Sequence, residues 1–133
     1  MIVADSGGGD PPLPESNAAL TMLDYAFGLS APLRVGRNVV RVENRGLEVH
    51  EVDVFRLKPG MTSDALIAWQ AGDQEGESPG IPMGGTLDVE PGDHLWIELE
   101  LEPGSYVLIC TVPAPDGAPH AHKGMVMVVE LSG

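Results

Sequence analysis

The sequence predicts an all-β domain, a Greek-key two-sheet β-sandwich, and three observations carry that expectation. Apolar and polar residues alternate with period two over several short runs, most cleanly in residues 94–102, where Leu95, Ile97, Leu99 and Leu101 share a face and glutamates occupy the other. The 17 Gly and 12 Pro fall between those runs and form no repeat, which spaces turns regularly along the chain. Roughly seven short strands joined in this way make a sandwich.

Taken in order, residues 1–17 read as a flexible Gly/Pro-rich leader, and residues 18–133 as the folded domain. Leu23, Tyr25 and Phe27 alternate with Met22, Asp24 and Ala26, the pattern of a first strand with one buried face. Residues 38–43 follow, with Val40 and Val42 on one face, and Asn44-Arg45-Gly46 turns the chain into the next run, an economical hairpin. In residues 47–57, Glu51 and Asp53 share a face that reads as solvated, while His50 points with Val52 and Val54. Residues 63–70 read as a short helix capped by Thr62 or Ser63, and residues 71–85 as a loop rich in Gly, Glu and Pro. Residues 86–90 make a short strand and Pro91-Gly92-Asp93 a turn into the 94–102 strand, whose first residue, His94, reads as a surface group. Residues 105–110 and 124–131 are apolar on both sides, as central strands are.

The bulk properties narrow the function. At 133 residues the chain suits a single domain with one site. Twenty acidic against seven basic residues give a net charge of −13, which argues against nucleic acid, whose phosphates need cationic contacts, and either suits a partner protein with a basic face or serves only solubility. A single cysteine excludes an intramolecular disulfide, and no apolar run approaches the roughly 18 residues of a membrane span. Met1-Ile2-Val3-Ala4 lacks the basic start and apolar stretch of a signal peptide. The leader that follows is of the kind found after a removed signal or anchor, so the expected location is periplasmic or extracellular. No phosphate-binding Gly-rich loop, Gly-x-Ser-x-Gly or Cys-x-x-Cys is present, so hydrolase, nucleotide and zinc-ribbon readings lack support. Glu51 and Asp53 could pass for a general acid and base, but alternating acids on a solvated strand face explain them more simply.

The chemistry concentrates between the last two strands, where Cys110, His120, His122 and Met125 lie in one connecting segment. Thiolate, imidazole and a weak thioether are the donors of a His₂Cys copper site that exchanges electrons. The second imidazole can come from His50, upstream and on the inward parity of its strand. Each residue also has an ordinary reading: Cys110 as a small buried hydrophobe, His50 as a satisfied core histidine, Met125 as core filler like Met127, and His122 as an alternative ligand to His120. Asn44 either ties strands together behind the site or only makes its turn.

Three motifs, Asn44-Arg45-Gly46 through His50, Tyr106 through Cys110-Thr111-Val112-Pro113, and Pro119-His120 through Gly124-Met125, resemble those of the cupredoxin (blue copper) family, of plastocyanin/azurin-like kind. The likeness extends in layout over residues 21–131. It implies a cupredoxin-like fold, a type 1-like mononuclear copper on His50, Cys110, His120 and Met125, Asn44 joining the His50 and Cys110 segments, and electron transport without enzymatic turnover. In the family's closing motif the histidine precedes the methionine by five positions, which selects His120. The more exposed imidazole, His120, would be the electron port. The chain departs from the family in the nine residues between Cys110 and His120, a longer spacing whose extra segment, residues 114–118, centres on the turn former Asp116-Gly117. That departure keeps two alternatives open: a copper-storage or delivery protein, and a metal-free protein-interaction module. A multicopper oxidase or nitrite reductase domain is more distant, since the chain has only four histidines.

Overall fold

A computed structural model describes residues 2–4, 15–72 and 74–132. The chain folds into β1 (Ile2–Ala4), β2 (Ala18–Leu23), β3 (Ala26–Leu29), β4 (Gly36–Asn44), β5 (Asp53–Leu57), α1 (Ser63–Ala71), β6 (Gly80–Gly85), β7 (His94–Leu101), β8 (Gly104–Ile109), a 3₁₀ helix (His120–Lys123) and β9 (Val126–Leu131). Two sheets face each other, one in the order β1-β7-β4-β2-β3 and one in the order β6-β5-β8-β9, the sandwich that the alternation predicts.

The alternation works as expected in β7, where Ile97, Leu99 and Leu101 are buried between the sheets with Leu20, Met22, Val40 and Val42 from the same sheet. Val54, Tyr106 and Leu108 meet them from the opposite sheet, joined by Val52 and Cys110 next to its strands. β8 is apolar on both sides because it is covered twice. Its Tyr106 and Leu108 enter this core, while Val107 and Ile109 lie under Leu66 of α1 on the outer face. Tyr106 also closes the β7–β8 corner, its hydroxyl donating to the Glu102 carbonyl at 2.8 Å and accepting from the Glu102 N–H at 3.0 Å.

Helix α1 forms where expected, with Thr62 as its cap accepting from the Ala65 N–H at 3.1 Å. Other elements differ from the sequence expectation. The run 22–27 is broken by a turn at Asp24–Tyr25, so β2 and β3 form a tight hairpin in register Met22↔Phe27. Residues 38–43 do not hairpin with the run that follows. β4 lies between β2, parallel, and β7, antiparallel, while the chain after Asn44 crosses to the other sheet. A parallel pairing is set by distant segments, which local periodicity does not report. Of the predicted 47–57 strand only Asp53–Leu57 is continuous, and His50 sits in an isolated bridge with Val89. β6 lies inside the stretch predicted as loop, and of residues 86–90 only Val89 is paired, with His50. At the amino terminus, Ile2–Ala4 pairs with β7, a strand not anticipated from the sequence; residues 5–14 of the expected leader lie outside the described residues.

Candidate metal centre

Backbone contacts bring three segments to one end of the sandwich. The crossover from β4 to β5 carries His50, held by two hydrogen bonds with Val89, N–H to carbonyl at 3.2 Å and carbonyl to N–H at 2.7 Å. Asn44 anchors the crossover: its side-chain N–H donates to the carbonyls of Glu48 (2.8 Å) and Val89 (2.9 Å), and its oxygen accepts from the Gly46 N–H at 2.8 Å. Those bonds join the His50 segment to the Val89 segment. The link from His50 to Cys110 comes instead from the Glu51 N–H, which points at Cys110 Sγ from 3.4 Å.

Cys110 follows β8 directly, its N–H bonded to the Met125 carbonyl at 3.3 Å and its carbonyl to the Ala121 N–H at 2.8 Å. The long spacing to His120 is absorbed locally. Pro113 and Pro119 bridge, Ala114 N–H donates to the Ala118 carbonyl at 2.8 Å, and Asp116 accepts from the Ala118 N–H at 3.0 Å and pairs with Lys123 at 2.7 Å. Residues 114–118 therefore form a closed turn, with Gly117 at φ 88°. His120 N–H then returns to the Val112 carbonyl at 2.9 Å.

The result is a buried cluster of His50, Cys110 and His120 whose ligand atoms lie within 4.8 Å of one another. His50 Nδ1 and His120 Nδ1 are 3.0 Å apart, with Cys110 Sγ 3.9 Å from the first and 3.4 Å from the second. Met125 is fully buried in the same core cluster as Cys110. The 3₁₀ helix turns His120 inward and leaves His122 exposed, where it lines a cavity of about 150 Å³ with Ile67 and Gln70 of α1 and with Thr111. His94 is half-buried away from the cluster, edge-on to Trp96.

Sequence reasoning missed the groups behind the imidazoles. His50 Nε2 meets Asp24 Oδ1 at 2.6 Å, and His120 Nε2 meets Glu48 Oε1 at 3.0 Å. Asp24 is fixed by the N–H groups of Leu47 (2.9 Å) and Glu48 (3.3 Å). Glu48 accepts a short hydrogen bond from the Tyr25 hydroxyl, and the Tyr25 ring lies over His120 with centroids 4.8 Å apart. Gly46 lets these groups approach, for a Cβ there would stand 2.3 Å from Asp24 Oδ1 and 2.8 Å from His50 Nε2. This arrangement corrects one expectation: His120 is fully buried, so no imidazole edge serves as an exposed port. The half-buried Tyr25 packs its ring against His120 on that side. The sequence offered little advance signal, since Asp24 sat in an apparent strand.

The electrostatics of the cluster ask for a cation. Burial lowers the His50 pKa, partly opposed by its bond to Asp24, with the neighbouring His120 adding to the lowering. Burial likewise raises the Cys110 thiol, partly opposed by the Glu51 N–H. For Asp24, burial works upward but is outweighed by the bonds from Leu47 and His50, leaving the carboxyl below its ordinary value. Each imidazole satisfies its carboxylate by donating from Nε2. The two Nδ1 atoms stand 3.0 Å apart beside a sulfur, where a bound cation would take all three as donors. Two imidazoles and a thiol, with a thioether buried close by, match a soft, copper-type donor set.

Glu51 and Asp53 do not lie on a solvated face. Thr111 donates to Glu51 at 2.6 Å, and burial together with Glu51 pushes the Asp53 carboxyl up to about 7.

No family model and no curated protein matches the chain. Among solved structures it is similar to a Na-dithionite-reduced auracyanin from the photosynthetic bacterium Roseiflexus castenholzii, 19% identical over 86% of this chain and 95% of that one, with a TM-score of 0.60. Auracyanin B matches at 16% identity over 90% of this chain and 92% of its own, TM-score 0.55. Auracyanin A, a "blue" copper protein from the green thermophilic photosynthetic bacterium Chloroflexus aurantiacus, matches at 15% identity over 86% and 99%, TM-score 0.53. With its two sheets, its strand order and this alignment, the chain has the cupredoxin fold.

Proposed function

We propose that the chain is a one-electron carrier built on a single type 1-like copper, held by Cys110 as thiolate, His50 and His120 through Nδ1, and Met125 as the weak axial donor. The observation that supports it is the pair of buried Nδ1 atoms 3.0 Å apart beside Cys110 Sγ. Copper, when bound, supplies the one-electron couple. The protein supplies rigidity: the Val89, Asn44, Val112 and Met125 backbone bonds hold the donors in place, so little rearranges between oxidation states. The Glu51 N–H directed at Sγ withdraws charge from the sulfur.

The net charge of −13 favours a redox partner with a basic face, approaching where Tyr25 covers His120. The domain of residues 18–133, to which Ile2–Ala4 adds a strand beside β7, fits an exported, periplasmic or extracellular protein; no described helix is long and apolar enough to cross a membrane. The burial of both imidazoles favours one second reading, copper storage or delivery, because neither ligand edge is open to a partner.

Titration of metal-free protein with Cu(II) tests the copper reading. Stoichiometric uptake with an intense visible charge-transfer band, lost in Cys110→Ser, supports it; a colourless protein without tight uptake overturns it. His120→Ala should abolish the band and His122→Ala should keep it, the reverse assigning the ligand to His122. Electron self-exchange, read from NMR line widths in mixtures of the two redox forms, then separates the carrier from the store: fast exchange belongs to the first, undetectable exchange to the second.

A further inference from the structure

We propose that Asp24 and Glu48 are anionic positioning residues that set the oxidation-state preference of the centre, with Tyr25 acting on Glu48 in the opposite direction. The inference rests on the copper reading above and extends it to groups outside the ligand set.

The argument begins with direction. Each imidazole has two nitrogens, and the carboxylates hold both Nε2 atoms, at 2.6 Å for Asp24 on His50 and 3.0 Å for Glu48 on His120. Both Nδ1 atoms are thereby turned toward Cys110, and both rings are locked in the tautomer that leaves Nδ1 free. Neither carboxylate is a casual surface contact. Asp24 is fixed by two backbone N–H groups across the turn at residues 46–48, and Glu48 by the Tyr25 hydroxyl.

Charge follows from position. Two carboxylates in line with two ligand imidazoles, beside a thiolate, direct negative charge through the rings at a donor cluster that is itself buried. A divalent ion gains more from that field than a monovalent one, so the oxidised form is favoured. Tyr25 moderates the effect by drawing Glu48 charge toward its own hydroxyl. Removing that hydrogen bond leaves Glu48 a stronger acceptor for His120 and favours the oxidised form further.

The test uses the full chain loaded with copper, and reads Cu(II) affinity by competition, the visible band, and the Cu(I) to Cu(II) ratio at a fixed redox poise. Asp24→Asn and Glu48→Gln keep the hydrogen-bonding shape and remove one charge each. Expected is a loss of Cu(II) affinity of roughly 10–100-fold, a retained band, and a shift of about tenfold toward Cu(I), about 59 mV for a one-electron couple. Tyr25→Phe, which removes only the hydroxyl, should shift the ratio the other way. A merely structural role would weaken both oxidation states equally and leave the ratio unmoved. A coloured wild type whose three variants all keep the wild-type ratio overturns the inference alone. If the carboxylate variants fail to fold, Tyr25→Phe decides it: a shift toward Cu(II) sustains it, and no shift or the opposite shift overturns it. A wild-type chain that takes up no copper overturns the underlying reading, and this inference with it.

Discussion

Replacing Gly46 with alanine probes how closely the crossover and the β2–β3 turn must approach. Gly46 does not need a left-handed backbone, since it is absent from the positive-φ positions of the chain, so the backbone itself tolerates alanine. The added Cβ is what cannot be placed, standing 2.3 Å from Asp24 Oδ1 and 2.8 Å from His50 Nε2. Asp24 must withdraw, which breaks its charge-assisted bond to His50 and strands the Leu47 and Glu48 N–H groups that it now satisfies. Losing one such bond costs about 2 kcal/mol, and forcing a methyl into filled space adds roughly 1 kcal/mol. For a chain of this length about 3 kcal/mol corresponds to a fall in Tm of roughly 12 °C. His50 also loses the group that orients it, so copper affinity should fall by roughly 10–100-fold. Thermal unfolding of the metal-free protein and competitive copper titration read the two effects separately. Because both mutations strike one bond, Asp24→Ala and Gly46→Ala should be less than additive by about 1–2 kcal/mol in a double-mutant cycle. Wild-type Tm and wild-type uptake in Gly46→Ala would show that the turn and the crossover have room to spare, and would refute the close-approach argument.

Three further outcomes follow from other parts of the molecule. The Asp53 carboxyl is raised above its unfolded value of 3.8 to about 7, so its contribution is fully present below about pH 4 and lost as pH rises through 7; after allowance for partial exposure this amounts to about 2 kcal/mol. Metal-free protein should therefore lose Tm between about pH 4 and 7, to within these about 2 kcal/mol, and Asp53→Asn should flatten that slope and be the more stable variant at pH 8; a parallel decline in both would contradict the assignment. Leu66→Ala, which empties the fully buried contact between α1 and the outer face of β8, should cost about 3 kcal/mol by chemical denaturation while the copper band stays, because Cys110 and Met125 belong to the other core cluster. Asp116→Ala, which removes the bonds of Asp116 to the Ala118 N–H and to Lys123, should keep copper affinity within a few-fold, since the His120 N–H is bonded to the Val112 carbonyl outside residues 114–118; loss of uptake would mean that the segment shapes the site directly.

The sandwich and the three motifs were legible because each is written locally. Period-two alternation at Leu95, Ile97, Leu99 and Leu101 reports one buried face, and Cys110, His120 and Met125 share a single connection between adjacent strands. What escaped was what depends on distant segments. Asp24 and Tyr25 looked like strand residues because Leu23, Tyr25 and Phe27 keep the alternation, yet the chain turns between them and carries both to the imidazoles. Glu48 went unread, although it shares the parity of His50, because the strand predicted over residues 47–57 is not continuous there. Asp53 looked solvated because nothing in its own neighbourhood announces that burial and a second acid raise its pKa. The parallel pairing of β2 with β4 escaped for the same reason, as its partners are set by the crossover and not by either strand's own pattern.

These same long-range contacts determine how the centre meets solvent. A centre of this donor type passes electrons most directly from an imidazole edge open to a partner, and the sequence led us to expect that edge at His120. The turn at residues 24–25 and the crossover at residues 46–48 instead close over both rings, placing an anion behind each Nε2 and an aromatic ring over one of them. Closure has opposing consequences. It excludes water, which strengthens the hold of Asp24 and Glu48 on the imidazoles, and it lengthens the route to any partner by the thickness of Tyr25. Electron exchange with a small cationic complex should consequently be more sensitive to Tyr25→Leu, which removes the ring, than to Tyr25→Phe, which keeps it. Equal rates in the two variants would place the route elsewhere, through β-strand backbone at the Cys110 side.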